Sequence, residues 1–487
     1  MKNKRLFLVA ILILVQIFIA ACTFGGGAEL QGSESGGKNN STKTESASGS
    51  DIGGSNVGGS ESGKSESVGS SDGSAKPAND YSDISSVEFV KLLGLGWNLG
   101  NAFENNLSGY PDTDYGNSIV KELGFESREM FCEVRNQQDI YRGAVTPSTI
   151  KAVYDKGFRS IRIPASWSNH MGENGIIHEA WLSRIKEVVD YIFKYDDMFA
   201  IINIMDTPNI GAYYLDDIHY EKTKSLIINV WEQLAETFKD YDERLIFENL
   251  NEPLHSKLGW SMSPKSNAGE YKECIENLNE FNQLYVDIVR GQGSDCNKRR
   301  FLSVGGYGNT GYLTYDGAVN AIAKFEIPAD EAADRLLMNI HAYSPSGFSF
   351  GKDSLWDEAS DENSPSGIKS MFTAIGNAYT KNGIGVIVSE WGSVYKNERG
   401  YESYRKKHAK YFVKNATENG VCVMVWDNNT RSTSWSTEYF GLLNRHKASG
   451  LYGDMENLSG VKYDNNSLWF SEGVIDGMFE GLSLTQN

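Results

Sequence analysis

Two glutamates in this 487-residue sequence each follow a short apolar run. Glu252 follows the run Leu245–Leu250, and Glu390 follows the run Gly385–Ser389. Other side chains that can bind or polarise a substrate stand at the same kind of position, at or just after the end of an apolar run: Arg162, His341, Tyr343 and Trp426. One glutamate alone could be a solvated charge or a helix cap. The repetition along the chain indicates a shared site instead.

A pair of carboxyl groups that face each other across a sugar can hydrolyse a glycosidic bond. One group protonates the leaving oxygen, and the other attacks the sugar carbon or activates a water molecule. The two groups must differ in pKa, so that one holds a proton while the other is ionised. Arg162 and Tyr343 are suited to keep Glu390 ionised, by charge and by hydrogen bond. Glu252 follows the neutral amide of Asn251 and should keep its proton more easily.

The elements that must position these residues show the pattern of a parallel sheet with crossover helices, since short apolar runs alternate with amphipathic stretches. The candidate strands are Leu95–Leu99, Ser160–Ile163, Phe199–Ile204, Leu245–Leu250, Phe301–Val304, Leu336–Ile340, Gly385–Ser389 and Val421–Trp426. A helical bundle would not explain these runs, and a doubly wound sheet usually has fewer strands. The sequence therefore predicts a (β/α)8 barrel, an α/β fold whose active sites lie at the C-terminal ends of the strands.

The helices between these strands have recognisable ends and faces. Thr146 and Pro147 form an N-cap followed by proline in the first turn, and Gly157 fits the end of that helix. In the next helical stretch, apolar residues recur on one face, at Trp181, Ile185, Val188 and Ile192.

The N-terminal segment differs sharply from the rest of the chain. A basic start is followed by an apolar run, Leu6 to Ala21, and then by Cys22. This pattern is typical of a signal peptide, because a membrane span needs about 20 apolar residues. The residues around Cys22 resemble the bacterial lipoprotein cleavage box, which implies a signal peptide over residues 1–22 and a lipidated Cys22. An uncleaved anchor helix is the alternative, and both place the remainder outside the membrane.

Composition distinguishes two further segments of the chain. Residues 23–79 are rich in Gly and Ser with scarcely an apolar side chain, so they cannot bury enough surface to offset their ordering entropy. We predict that they form a flexible linker. Residues 80–487 are rich in aromatic and aliphatic side chains and show no second linker, which indicates one large catalytic domain.

Charge and cysteine spacing exclude several classes of function. The net charge of −18 argues against a nucleic-acid partner, which requires clustered lysine and arginine. The cysteines beyond Cys22 show no CxxC spacing, and the seven histidines include no HExxH pair, so we predict no metal site. Cys274 and Cys296 could form a disulfide or remain buried free thiols.

The motifs taken together resemble glycoside hydrolase family 5, and within it the bacterial endoglucanases. The resemblance rests on Gly96–Asn101, Arg162-Ile163-Pro164, Asn251-Glu252-Pro253, His341-Ala342-Tyr343 and Glu390, and it spans about Leu95 to Asn444. It implies that Glu252 is the acid/base and Glu390 the nucleophile. It also implies substrate-binding or positioning roles for Arg162, His170, Asn251, His341, Tyr343 and Trp426, with Trp426 stacking on a sugar ring. Members of the family need no metal or organic cofactor.

The sequence departs from this family pattern after the third strand. Relatives usually carry a pair of histidines after Ile-Ile-Asn-Ile, whereas this chain has Met205 and Asp206. Methionine cannot replace the hydrogen-bond donors of histidine, and Asp206 would have to supply a different polar contact.

The resemblance therefore implies a retaining endo-β-1,4-glucanase that acts on cellulose, mixed-linkage β-glucan or xyloglucan. Its partners would be the β-linked polysaccharide and, through the lipid anchor, the membrane, with no nucleic acid and no obligate protein partner. We expect an extracellular location, either as a cell-surface lipoprotein or secreted. The alternative is a cell-surface glycan-binding protein on a catalytically weakened glycosidase scaffold, which the Met205-Asp206 pair favours and the intact glutamates oppose. A metallohydrolase is disfavoured by the histidine spacing.

Overall fold

A computed structural model describes residues 81, 83–104, 133, 144–206, 213–430, 439–450 and 467–485. These residues belong to one compact unit, Pro77–Asn487. The predicted signal peptide with Cys22 and the whole predicted linker, residues 23–79, lie outside the described residues, as does Cys132. No helix within the described ranges is both long enough and apolar enough to span a bilayer.

Eight parallel strands pair in chain order and close into a barrel, with β8 beside β1. Their bounds are β1 Leu95–Asn98, β2 Ser160–Ile163, β3 Phe199–Ile204, β4 Leu245–Leu250, β5 Leu302–Thr310, β6 Leu336–His341, β7 Gly385–Trp391 and β8 Val421–Val425. The predicted (β/α)8 barrel is confirmed. Strands β2, β3 and β4 have the predicted bounds, and β5 differs most, because its glycine-rich end carries no apolar pattern.

Most helices lie between consecutive strands along the chain, while one precedes β1 and two follow β8. The α-helices are α1 Ser86–Leu92, α2 Pro147–Lys156, α3 Glu179–Phe193, α4 Tyr220–Thr237, α5 Ala268–Gly291, α6 Asp295–Arg299, α7 Tyr312–Tyr315, α8 Gly317–Asn320, α9 Ser346–Ser349, α10 Glu358–Glu362, α11 Ile368–Ala378, α12 Tyr401–Glu418, α13 Arg445–Ser449 and α14 Glu472–Ser483. Short 3-10 helices lie at Ser168–His170, Asp217–His219, Gly259–Ser261 and Thr380–Asn382.

Helix α2 begins and ends as its sequence predicts. The Thr146 side chain accepts a hydrogen bond from the backbone N–H of Thr149, which satisfies one donor at the helix start. Gly157 ends the helix with φ of 108°, a left-handed conformation that glycine adopts without steric cost.

Helix α1 closes the N-terminal end of the barrel. Its Phe89 has no exposed surface and stacks on Phe301, with the ring centroids 3.6 Å apart. Phe89 also belongs to a cluster with inward-facing residues of the strands, among them Phe199 and Ile201 of β3. Apolar packing therefore fills the barrel at this end, and the polar side chains of the interior lie further along the strands.

The cysteines resolve one open alternative. Cys274 is buried and Cys296 is partly exposed, and both are free thiols. Of the two alternatives that the sequence left open, free thiols rather than a disulfide are therefore found.

Candidate active site

A buried arginine on β2 organises the polar half of the barrel interior. The Arg162 side chain has no exposed surface, and its guanidinium contacts two carboxylates: Nη2 lies 2.6 Å from Oε1 of Glu248, and Nη1 lies 2.8 Å from Oε1 of Glu390. It also donates to Oδ1 of Asn98 at 3.1 Å and to Oδ1 of Asn251 at 2.6 Å. Burial alone would lower the pKa of Arg162, but the charges of Glu248 and Glu390 outweigh it and raise the pKa above its usual value.

Glu248 is a member of this network to which the sequence analysis gave no role. It accepts hydrogen bonds from Arg162 and, at 3.0 Å, from Nδ2 of Asn203. Alternation along β4 places Glu248 on the interior face, as it does Ile246 of the same strand. A charged residue on the inward side of an otherwise apolar strand was the signal that could have identified it.

Glu390 lies at the C-terminal end of β7 with only 5% of its side chain exposed. Arg162 donates to one carboxylate oxygen, and the Tyr343 hydroxyl donates to the other at 3.0 Å. Donors of this kind stabilise the ionised form of a carboxylate. The structure thus brings Arg162 and Tyr343 to Glu390, as the sequence analysis expected.

Glu252 has a different environment across the barrel mouth. Its side chain is 26% exposed, and its Oε1 lies 2.8 Å from Nδ1 of His341. Desolvation raises the pKa of Glu252, the contact with His341 opposes that rise, and the nearby charge of Glu390 adds to it. Burial would lower the pKa of His341, but Glu390 and Glu252 together raise it.

The two glutamates are close enough to act on one bond. One atom each from Glu252, His341 and Glu390 can be chosen so that all three lie within 4.8 Å of one another. Retaining glycosidases hold their two carboxyl groups about 5–5.5 Å apart, whereas inverting enzymes leave about 6.5–9.5 Å for a water molecule. One oxygen of Glu252 and one of Glu390 thus lie nearer to the spacing of retaining enzymes than to that of inverting enzymes.

The same three side chains form the one candidate metal-ligand group among the described residues. All three already make contacts that suit proton transfer and nucleophilic attack, and Nδ1 of His341 lies beside a carboxylate. The expected lack of a metal cofactor stays a prediction.

Trp426 directly follows β8 and lies beside this site. It is 7% exposed and packs in a small cluster with Val394 and Phe440, against which Tyr343 and Met205 also pack. Its proximity to Tyr343 agrees with a place in the sugar-binding region, and stacking on a sugar stays a prediction.

Asp206 makes its polar contacts with the protein rather than with the open site. It is completely buried and accepts hydrogen bonds from the hydroxyls of Ser166, at 2.7 Å, and Ser168, at 2.6 Å. The backbone N–H groups of Trp167 and Ser168 also donate to it. Desolvation raises the pKa of Asp206, although these bonds oppose that rise. Asp206 therefore holds the segment after β2.

His170 is buried against helix α3. Its side chain has no exposed surface, and its ring stacks on that of Trp181 with centroids 3.6 Å apart. The ring is covered in this conformation, and the expected contact of His170 with a substrate stays a prediction. Trp181 lies on the apolar face of α3, which explains why the histidine is drawn inward.

Comparison with known proteins agrees with this geometry. A family model described as cellulase (glycosyl hydrolase family 5) matches residues 121–432. The chain is 33% identical over 375 residues to the cellulase/esterase CelE of Acetivibrio thermocellus, covering 76% of this chain and 39% of that protein. It is 31% identical over 383 residues to endoglucanase A of Clostridium longisporum, covering 77% of this chain and 65% of that protein. The chain thus spans less than two thirds of the length of these two relatives.

A solved structure shows the same similarity. The lichenase of family GH5 from Caldicellulosiruptor sp. F32 superposes with a TM-score of 0.65 at 29% sequence identity. The superposition covers 83% of this chain and 96% of the lichenase.

We predict that Arg162→Met lowers the free energy of unfolding by about 3–5 kcal/mol, because it leaves a buried carboxylate without its partner. Urea denaturation followed by circular dichroism measures this loss. Arg159→Met is the matched control, since Arg159 pairs with Asp197 where the two side chains are 34% and 53% exposed. An exposed pair contributes about 1 kcal/mol or less. Equal losses in the two variants would contradict the structural role of Arg162.

Proposed function

Because the chain belongs to the cellulase family, glycosyl hydrolase family 5, we propose that it is a retaining endo-β-1,4-glucanase. The observation that carries this proposal is the spacing of Glu252 and Glu390 within 4.8 Å, combined with their opposite environments. Glu390 accepts hydrogen bonds from the guanidinium of Arg162 and from the hydroxyl of Tyr343. The pKa of Glu252 is raised, which favours the protonated acid.

In the first step, Glu390 attacks the anomeric carbon while Glu252 gives its proton to the leaving glycosidic oxygen. The bond to the leaving sugar breaks as the bond to Glu390 forms, which yields a covalent glycosyl-enzyme. In the second step, Glu252 takes a proton from water, and the oxygen of that water displaces Glu390. Each step inverts the anomeric carbon, so the product retains the β configuration.

Neighbouring side chains support this reaction. Oδ1 of Asn251 accepts from Arg162, so the amide nitrogen is the part of this side chain that can donate to the sugar 2-hydroxyl. We place Trp426 beneath a sugar ring, where an aromatic face suits the C–H groups of the sugar. Arg162 and Tyr343 hold Glu390, and His341 orients Glu252.

The substrates we propose are soluble β-1,4-linked glucans, namely cellulose derivatives, mixed-linkage β-glucan and xyloglucan. The similarity to a lichenase and to endoglucanases supports this class. A panel of these polysaccharides, assayed for reducing-sugar release and for the size of early products, tests it. Long early products indicate internal cleavage, whereas release of one small sugar from the outset would contradict the endo mode.

A glycan-binding protein on a weakened scaffold is the second candidate. The residues Met205 and Asp206, at the position of the expected histidine pair, are the observation that favours it. The contacts that hold Glu390 and Glu252 are complete, which favours catalysis. Binding to β-glucan without release of reducing ends from any member of the panel would support this second candidate.

We predict that Glu252→Gln lowers kcat on β-glucan by about 10²–10⁴-fold and that Glu390→Ala removes nearly all activity, with both folds intact. With azide and an activated aryl β-cellobioside, Glu390→Ala should give the α-glycosyl azide, because azide occupies the vacated side of the sugar. Glu252→Ala should give the β-glycosyl azide, because azide then attacks the glycosyl-enzyme. Glu232→Gln, at an exposed position on α4, is the control and should remain fully active. If Glu390→Ala gave the β-glycosyl azide and Glu252→Ala the α-glycosyl azide, the roles of the two glutamates would be exchanged. Wild-type activity in either variant would refute the role assigned to the substituted glutamate.

The raised pKa of Glu252 predicts the alkaline side of the pH profile. Activity needs the protonated acid, so kcat/KM should fall as pH rises through the pKa of Glu252. His341→Gln removes a contact and a charge that lower this pKa, so the alkaline limb should move to higher pH. The pH dependence of kcat/KM measures the shift. A limb that moves to lower pH would contradict this electrostatic account.

We also propose that Cys22 is lipidated and holds the protein at the outer surface of the cell. The basic and apolar residues before Cys22 support this anchor. Cys22→Ala should abolish incorporation of radiolabelled palmitate and shift the enzyme from the membrane fraction to the medium. Palmitate labelling that persists in the variant would refute the site.

A further inference from the structure

The end of β5 has an unusual backbone that brings one side chain to the acid/base. The pairing of β5 with β6 shifts register between Gly305 and Thr310. Gly308 and Asn309 within this irregular stretch both have positive φ, 57° and 52°. A Cβ on Gly305 would lie 2.0 Å from Nδ2 of Asn309, so a glycine is needed there to make room for the amide. The glycine at position 305 thus leaves the space that the Asn309 side chain occupies.

Asn309 contacts the backbone of Glu252 directly. The N–H of Glu252 donates to Oδ1 of Asn309. Because a backbone N–H only donates, the oxygen of the amide must face it. Nδ2 of Asn309 has no hydrogen-bond partner in the described part of the chain, and the side chain has no exposed surface. The bond to Glu252 is therefore the polar contact that this buried side chain provides.

Two more contacts join the same stretch of β5 to the segment after β4. The N–H of Gly308 donates to the carbonyl of Pro253 at 2.9 Å. The Tyr307 hydroxyl donates to the carbonyl of Gly259 at 2.7 Å and accepts from the N–H of His255 at 3.1 Å. The end of β5 thus holds the chain that follows Glu252 at several points, and Asn309 holds Glu252 itself.

Glu252 requires such support because its own backbone is in a disfavoured conformation. Its φ is 45°, and a left-handed conformation at a residue other than glycine costs on the order of 1–3 kcal/mol. The Tyr213 hydroxyl donates to the carbonyl of Asn251, and Asn309 accepts from the N–H of Glu252, so both polar groups of the peptide between Asn251 and Glu252 are fixed. This backbone conformation carries the Glu252 side chain toward His341.

We propose that Asn309 is a positioning residue for the acid/base, which it holds through the backbone N–H of Glu252 without touching the substrate. The inference rests on the proposed function, in which Glu252 transfers the proton. Loss of the Oδ1 acceptor lets the backbone of Glu252 relax, and the carboxyl group then moves away from the glycosidic oxygen. A displacement of about 1 Å is enough to impair such a step by roughly 10²-fold.

The consequence depends on the leaving group. A sugar leaving group needs a proton in the transition state, whereas dinitrophenolate leaves without one. An error in the position of Glu252 therefore slows the first step on cellopentaose and leaves kcat/KM for dinitrophenyl β-cellobioside almost unchanged. General loss of structure would lower both values together.

The test compares kcat/KM for these two substrates in three variants. Asn309→Gly tolerates the positive φ but removes the acceptor, and we expect a loss of about 10-fold to 10²-fold on cellopentaose, with less than about 3-fold on the dinitrophenyl glycoside. Gly305→Ala leaves Asn309 in place but displaces its amide, so it should give the same selective loss. Asn309→Asp retains an oxygen acceptor and should restore most of the activity on cellopentaose, with the alkaline limb of its pH profile moved upward by the added charge.

Asn429→Gly is the matched control, since Asn429 is also buried with φ of 55° and accepts a backbone N–H, that of Arg445. It should change both substrates by the same factor. Equal losses on both substrates in Asn309→Gly and Gly305→Ala, or no loss in either, would overturn the inference. Wild-type protein inactive on both substrates would instead refute the proposed function, so the two failures are distinguishable.

Discussion

The structure depends on one buried guanidinium. Arg162 lies between Glu248, beneath it in the barrel, and Glu390, at the mouth, so a single positive charge pairs with a carboxylate of the interior and with the proposed nucleophile. A planar guanidinium fixes the directions of its donors, which makes the orientation of Glu390 depend on the partners that hold the other side of the group. Removal of Arg162 would leave two acidic groups in a poorly solvated interior. The stability of the barrel and the orientation of the proposed nucleophile are therefore linked through one side chain.

Much of the fold could be predicted because strands covered on both faces are almost continuously apolar. Strands β2, β3 and β4 matched their predicted bounds for this reason. Strand β5 extends to Thr310, well past the predicted Val304. Its second half is rich in glycine and has no apolar pattern, and contacts with the segment after β4 hold it in place. No local pattern in the sequence reports such contacts. The wrong disulfide alternative had the same origin, since spacing along the chain does not give the distance between two thiols.

Site residues could be predicted where they lie at the end of a strand, because the C-terminal ends of the parallel strands lie on one face of the barrel. Glu252, Glu390, Arg162, His341 and Tyr343 were brought together on that basis. Residues whose roles depend on a distant partner escaped the sequence analysis: Glu248 acts through Arg162, and the role proposed for Asn309 depends on a backbone N–H. Asp206 was expected to make a different polar contact, but its partners in the segment after β2 could not be named from the sequence. His170 was assigned to the substrate, but packing on Trp181 determines where its ring lies.

Helix α1 packs into the end of the barrel opposite the two glutamates, with Phe89 against Phe301. The described chain therefore enters the fold at its base. The mouth of the barrel, where Glu252 and Glu390 lie, is at the other end of the strands. One helix thus forms the apolar floor above which the polar interior of the barrel lies.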